Sequence, residues 1–169
     1  MSVIDRATLP TARRLVVKVG SSSISGANAD RISVIVDALA AAHGRGTEVV
    51  LVSSGAIATG MPYLQLDSRP GDLATQQAAA AVGQNVLIYR YQDSLRRFSI
   101  VAGQVLLTAG DLENPVHRSN AQRAMERLLN LRILPIVNEN DTVATHEIRF
   151  GANDRRAALV ARLAYPDAL

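Results

Sequence analysis

The sequence predicts an α/β fold, a three-layer αβα sandwich with a mainly parallel sheet covered by helices on both faces. Two observations support this prediction. Short apolar runs rich in β-branched residues alternate with longer amphipathic segments, which is typical of strand–helix–strand units. The strand runs are apolar at consecutive positions, as expected for strands that are buried on both faces. The chain has 169 residues, of which 48% are hydrophobic and 20% charged, enough for one domain with a substantial core.

The first half of the chain contains two predicted strands and two long predicted helices. Residues 15–19 form an apolar run that Gly20 and three serines terminate, and residues 49–52 form a second one that runs into another Ser/Gly segment. Residues 30–43 carry apolar side chains at helical spacing and are followed by glycines. Asp72 follows a Pro-Gly pair and is expected to be the N-cap of a long helix that ends near residue 97.

The second half repeats this alternation with shorter helices. Apolar runs predict the third and fourth strands at residues 100–107 and 133–137, and helices are predicted at residues 119–131 and 154–164. Residues 142–150 alternate between polar and apolar side chains, which is typical of a hairpin arm. In sheets of this kind ligands bind beyond the carboxyl ends of the strands, and four polar clusters lie there. This placement favours an enzyme that acts on a small molecule.

Composition excludes several classes of protein. The chain has no cysteine, which excludes disulfides and thiolate metal sites. No apolar run reaches the roughly 20 residues that a membrane helix needs, and the polar N-terminal residues lead us to expect a cytoplasmic protein. The net charge is +3, but the arginines alternate with acidic residues along predicted helices and aromatic residues are few, so we expect no nucleic-acid partner.

Lys18 is the first candidate functional residue, because it is the only lysine in the chain. It precedes Gly20 and three serines, a loop whose backbone N–H groups could bind an anion while the lysine supplies positive charge. The order differs from a P-loop, in which the lysine follows the glycines. The alternative is a structural lysine whose ammonium reaches water at the end of a strand.

The second candidate motif is Ser-Ser-Gly at residues 53–55, again between a strand and a predicted helix. Its small residues allow a ligand to approach the backbone, and Ser54 could bind a carboxylate or a phosphate. A nucleophilic serine is the alternative, but the G-x-S-x-G elbow is missing and no histidine has an obvious reason to lie nearby.

Two further clusters follow the last predicted strand. Residues 138–141 read Asn-Glu-Asn-Asp, in which the carboxylate of Asp141 suits a substrate ammonium and the amides suit a carboxylate. An Asx-turn would account for one or two of these four residues. Residues 151–154 read Gly-Ala-Asn-Asp, in which Asn153 or Asp154 is expected to cap the last helix. No histidine or acidic pattern predicts a metal site, although Mg²⁺ that arrives with a nucleotide remains compatible.

Six segments together resemble the glutamate 5-kinase branch of the amino acid kinase family. The resemblance covers residues 14–163, and the SSGAIA and VNENDTVAT strings favour this branch over carbamate, aspartate and acetylglutamate kinases. In chain order the segments are LVVKVGSSSI, VVLVSSGAIATG, AAVGQNVL, GQVLLTAGDL, ILPIVNENDTVATHEIRFG and NDRRAALVA.

The resemblance implies the amino acid kinase fold and ATP-dependent phosphorylation of the side-chain carboxylate of L-glutamate, the first step of proline synthesis. It implies that Lys18 is catalytic and contacts the ATP phosphates together with Gly20. It further implies that Ser54, Asp141 and Asn153 bind glutamate, with Asn138 nearby. ATP with Mg²⁺ is the expected cofactor, and a homo-oligomer is the expected assembly.

The resemblance also sets expectations for the extent of the activity. We expect residues 1–169 to be the glutamate-binding half of the kinase domain, without the nucleotide-binding half and without the RNA-binding-like domain frequent in the family. Ala152 stands where the family pattern has an aspartate, and the family's second phosphate-binding lysine has no counterpart here. The expectation is therefore a truncated or impaired kinase. The alternative is a non-catalytic fragment that binds glutamate or proline, or that regulates a relative.

Overall fold

The computed structural model describes residues 6–144 and 152–168, and for residues 152–156 and 159 it describes the backbone alone. In this part of the chain the central element is a four-stranded sheet in the order β1-β2-β4-β3, in which every neighbouring pair is parallel. The predicted parallel sheet is therefore confirmed. The strands are β1 (Arg14–Lys18), β2 (Glu48–Val52), β3 (Ala102–Leu107) and β4 (Leu134–Glu139).

Helices cover both faces of this sheet, which confirms the three-layer sandwich. On one face α1 and α3 pack on side chains such as Val49 and Leu51, and on the other α5 and α6 pack on Val50 and Val52. Consecutive strand residues thus contribute to opposite cores, as the period-2 geometry of a strand requires. The helices are α1 (Arg31–Gly44), α2 (Ala56–Gly60), α3 (Leu73–Arg96), α4 (Ala109–Glu113), α5 (Pro115–Asn130) and α6 (Ala152–Ala164).

Several predicted boundaries are corrected. The third strand begins at Ala102 rather than at residue 100, and the fourth continues to Glu139 rather than ending at residue 137. Helix α5 begins at Pro115, four residues before its predicted start, because the Asn114 side chain accepts hydrogen bonds from two N–H groups of its first turn. The predicted cap at Asp72 is confirmed, since its carboxylate accepts the Thr75 N–H at 2.8 Å.

The end of the described chain returns to the sheet. Asp167 and Ala168 run along the outer edge of β1, where the Val16 N–H donates to the Ala168 carbonyl at 3.0 Å. The Asp167 carboxylate accepts the backbone N–H groups of Arg13 and Arg14. No helix in the described ranges is both long and apolar enough to cross a membrane.

Candidate active site

All four parallel strands end at the same edge of the sheet, and three of them, β1, β2 and β4, lead into predicted polar clusters. In the sheet register Lys18 lies opposite Val52, and Val52 lies opposite Val137. The alignment continues one residue further, where the Ser53 N–H donates to the Val137 carbonyl at 2.8 Å. Ligands bind at the carboxyl edge of parallel sheets, so this edge is the candidate active site.

Lys18 is the last residue of β1 and is exposed. With Ser23 and Arg31 it lines an open depression of about 470 Å³ between β1 and the start of α1. Gly20 has an ordinary extended backbone, and Ser21–Ser23 form one 3₁₀ turn anchored by the fully buried Ile24. An exposed ammonium beside a turn of serines is a chemically suitable environment for phosphate oxygens.

Ser54 is buried in the loop after β2, where its hydroxyl donates to the Val19 carbonyl at 3.2 Å. This bond joins the β2 loop to the β1 loop. Gly55 makes the close approach possible, because its φ of 97° is unfavourable for other residues and a Cβ atom would lie 3.3 Å from Ser21 Cα. With its proton engaged, the Ser54 oxygen offers lone pairs to a ligand, and it would have to rotate to donate to a carboxylate.

Helix α2 fixes the position of this loop by packing directly against the backbone of α3. A Cβ atom on Gly60 would lie 1.9 Å from the Ala79 carbonyl oxygen, and one on Gly83 would lie 1.8 Å from the Ala56 carbonyl oxygen. The two backbones can approach this closely only because both positions are glycine. This contact was not predicted from the sequence, although Gly83 inside a helical segment is a signal for a close backbone approach.

A second contact to α3 holds the end of β2. The Ser53 hydroxyl and the Tyr91 hydroxyl lie 3.1 Å apart, and both side chains are buried. Burial raises the pKa of Tyr91, and the hydrogen bond to Ser53 opposes this rise. The phenol therefore stays neutral at physiological pH and acts as a structural hydrogen-bonding group.

The Asn-Glu-Asn-Asp cluster is divided between a strand and a turn. Asn138 and Glu139 are the last residues of β4 and are buried, which corrects the prediction that all four residues follow the strand. The Asn140 N–H donates to the Leu107 carbonyl of β3, and the half-buried Asp141 follows in the turn. The Thr142 hydroxyl donates to Asn140 Oδ1 at 2.7 Å, so local side-chain bonding does account for part of the cluster.

The fourth cluster is only partly described. Helix α6 begins at Ala152, so Asn153 and Asp154 lie within its first turn and neither is the N-cap, contrary to the prediction. The side chain of Asn153 and the whole of Gly151 lie outside what the structure describes. Most of the predicted hairpin arm, residues 145–150, lies there as well, whereas residues 141–143 form a turn.

The arrangement brings together Lys18, Gly20, Ser54 and Asp141 as residues at or just beyond the ends of adjacent strands. Among the side chains that the structure describes, no three of His, Cys, Asp or Glu cluster as metal ligands would. In the described part of the chain this edge carries the Lys18 ammonium, the Asp141 carboxylate, serine hydroxyls and asparagine amides. Such groups can bind and orient a zwitterionic amino acid next to an anionic group.

Comparison with known proteins agrees with this architecture. Residues 13–169 match the model of the amino acid kinase family. The chain is 78% identical over its full length to the glutamate 5-kinase of Leifsonia xyli and 76% identical to that of Clavibacter sepedonicus. It spans 63% and 65% of the length of these two relatives. The glutamate 5-kinase of Thermobifida fusca is 59% identical over 97% of the chain, which covers 43% of that protein. The chain therefore belongs to the amino acid kinase family.

Proposed function

We propose that this chain forms the glutamate-binding part of a kinase that phosphorylates the side-chain carboxylate of L-glutamate with ATP, the first step of proline synthesis. The observation that carries the proposal is the shared carboxyl edge of β1, β2 and β4, where Lys18 ends β1 and where Ser54 and Asp141 lie just beyond β2 and β4. The similarity to three glutamate 5-kinases supports the choice of substrate.

In this proposal each residue has a role that follows from its chemistry. Asp141 binds the ammonium of glutamate, and Ser54 and Asn153 bind the rest of the amino acid. Lys18 offsets the negative charge of the phosphates, with Gly20 beside it. Bound ATP with Mg²⁺ would supply the phosphoryl group. The attacking carboxylate has no proton to lose, so the residues need only to position it and to neutralise charge.

The length of the relatives bears on the completeness of the site. We propose that residues 1–169 correspond to the amino-acid-binding half of the kinase domain. In this proposal the remaining nucleotide contacts come from a part of the relatives that this chain does not match. ATP and Mg²⁺ are therefore proposed for the whole enzyme.

The second candidate is a module that binds glutamate or proline without transferring phosphate. Ala152 favours it, because the family pattern has an aspartate there and that carboxylate would contact the substrate ammonium. Losing one charged partner costs about 1.5–3 kcal/mol, roughly 10- to 150-fold in affinity. If Ala152→Asp strengthens glutamate binding by this factor, the native residue limits the site.

We also propose that the chain self-associates through the outer face of α3. The exposed side chains of Ala78, Val82 and Tyr89 lie on this face at helical spacing, and Tyr89 is 64% exposed. Apolar side chains in such an arrangement are typical of a helix that packs against another helix. Sedimentation velocity would test this proposal, with Val82→Glu expected to give a smaller species.

The first experiment is thermal unfolding with and without L-glutamate, with D-glutamate as the control. A ligand at 100 times its Kd adds about 2.7 kcal/mol of stability, which for a domain of this size raises Tm by about 5–10 °C. Asp141→Asn should lose most of the shift that L-glutamate produces, measured against its own Tm without ligand. Asp93→Asn, an exposed carboxylate on α3, should retain the shift. A cooperative transition whose Tm does not change with L-glutamate would contradict the proposal.

A further inference from the structure

One face of α3 contacts the segment that carries Asp141 at two places. Gln84 Oε1 accepts the Asn138 Nδ2–H at 2.6 Å, and Gln77 Nε2–H donates to the Ala144 carbonyl at 3.4 Å. Residues seven positions apart lie on the same side of a helix, about 10 Å from each other along its axis. The two glutamines therefore contact the beginning and the end of residues 138–144.

The contact at Gln84 extends to the backbone through Asn138. The Asn138 carboxamide is buried, with the residue only 2% exposed, and its Oδ1 accepts the Glu139 N–H at 2.9 Å. Gln84 thus fixes the orientation of a carboxamide that in turn fixes the last peptide of β4. A buried amide held by two partners adopts one orientation, because any other would leave polar groups unsatisfied.

Beyond this peptide the chain enters the turn that contains Asp141. The Asn140 N–H is held by the Leu107 carbonyl at 3.2 Å, and the Val143 N–H donates to the Asn140 carbonyl at 3.2 Å. The direction of the Asp141 side chain therefore depends on how the end of β4 is oriented.

The same helix also holds the Ser54 loop, as described above for Gly83 and Tyr91. Helix α3 therefore contacts both loops of the candidate site, the Ser54 loop and the turn that contains Asp141. We propose that Gln84 is a positioning residue of the glutamate site, which through Asn138 sets the Asp141 turn relative to the Ser54 loop. This inference rests on the proposed function.

Helix α3 provides a matched control for a purely structural role. Gln92 lies eight residues further along, and it also makes two hydrogen bonds to another part of the chain. Its Nε2–H donates to the Ile100 carbonyl at 3.1 Å, and its Oε1 accepts the Ala102 N–H at 2.8 Å. These contacts hold the amino end of β3, at the edge of the sheet opposite the candidate site. Both glutamines should contribute to stability, but only Gln84 should affect the site.

The test compares Gln84→Met with Gln92→Met, since methionine keeps the length of the side chain and removes its hydrogen bonds. L-Glutamate is titrated into each variant by calorimetry, at a temperature where every variant is folded. Gln84→Met should bind about 10-fold more weakly than the wild type, whereas Gln92→Met should stay within about twofold. Unchanged affinity in Gln84→Met, or equal weakening in both variants, would overturn the inference.

A second measurement separates this inference from the proposed function. Amide hydrogen exchange of residues 140–143 should accelerate in Gln84→Met and stay unchanged in Gln92→Met. If the wild type does not bind L-glutamate, the proposed function fails, and this exchange pattern still decides whether Gln84 positions the turn. Equal exchange in both variants would reject the positioning role.

Discussion

At the amino end of the sheet Arg14 contacts three other elements through its charge, whereas at the carboxyl end Ser54 and Asn138 are held by neutral hydrogen bonds. The Arg14 guanidinium lies 2.7 Å from Glu48 of β2 and 2.6 Å from Glu126 of α5, and it also donates to the Ala164 carbonyl of α6. The carboxylates are the main reason why the pKa of Arg14 is raised, against the opposing effect of burial.

The difference indicates that the amino and carboxyl ends of the sheet have different roles. Oppositely charged side chains that bind each other at the amino end are committed to holding strands and helices together. At the carboxyl end, glycine contacts, amides and hydroxyls hold the loops, and the exposed Lys18 and half-buried Asp141 lie among them. Variants at the amino end should therefore change stability alone, and variants at the carboxyl end should change the site.

The largest effect is expected from Gly83→Ala. The new Cβ atom would meet the Ala56 carbonyl oxygen at 1.8 Å, so α2 would have to move away from α3. We expect a loss of about 3 kcal/mol in the free energy of unfolding, together with a loss of glutamate binding. Urea denaturation of Gly83→Ala beside Gly71→Ala measures this, because Gly71 has open space around it. Equal stability of the two variants would show that α2 does not need the close contact.

A smaller effect is expected from Arg14→Leu at the amino end. The Arg14 side chain is only 15% exposed, so its removal leaves Glu48 and Glu126 without their shared partner. We expect a loss of about 2–3 kcal/mol of stability, with the affinity of the folded variant for L-glutamate unchanged. Arg96→Leu, which removes an exposed pair with Asp93, should cost less than about 0.5 kcal/mol. Weakened glutamate binding in Arg14→Leu would contradict the division between the two ends.

The smallest effect is a pH dependence at Asp167. Hydrogen bonds from the backbone N–H groups of Arg14 and Arg13 lower the pKa of this carboxyl. Its stabilising contribution is therefore present above the unfolded pKa of about 3.9 and is lost as the pH falls through the lower folded value. Asp167→Asn should reduce Tm at pH 6 by more than it does at pH 3. A Tm difference that is the same at both pH values would exclude this carboxylate as the cause.

Local sequence patterns predicted most of the strands and helices, because apolar runs indicate buried segments and capping residues indicate where a helix begins. The run at residues 49–52 is apolar at consecutive positions and lies in the sheet with both faces covered, as predicted. Asp72 caps α3 because its short side chain can reach the Thr75 N–H without help from the rest of the fold. The predicted start of α5 was wrong, although the Asn-Pro pair at residues 114–115 is itself a local signal for a helix start.

The sequence predicted at which edge of the sheet the candidate site lies, but it did not predict the contacts between the residues there. Parallel strands bring their carboxyl ends to one edge, so the position of the clusters followed from the strand pattern. The extension of β4 to Glu139 did not follow, because polar residues are depleted in strands and only pairing with Leu106 and Leu107 of β3 keeps them extended.

The sequence by itself therefore determined the α/β class, the order of the four strands along the chain, and the position of the clusters after β1, β2 and β4 at the carboxyl edge of the sheet. Only the tertiary structure decided that α2 lies on α3 through two glycines, and that Gln84 meets Asn138. The physical reason is distance along the chain. Hydrophobic periodicity and capping act within a few residues, whereas Gln84 and Asn138 are 54 residues apart and meet only where a helix crosses the end of a strand.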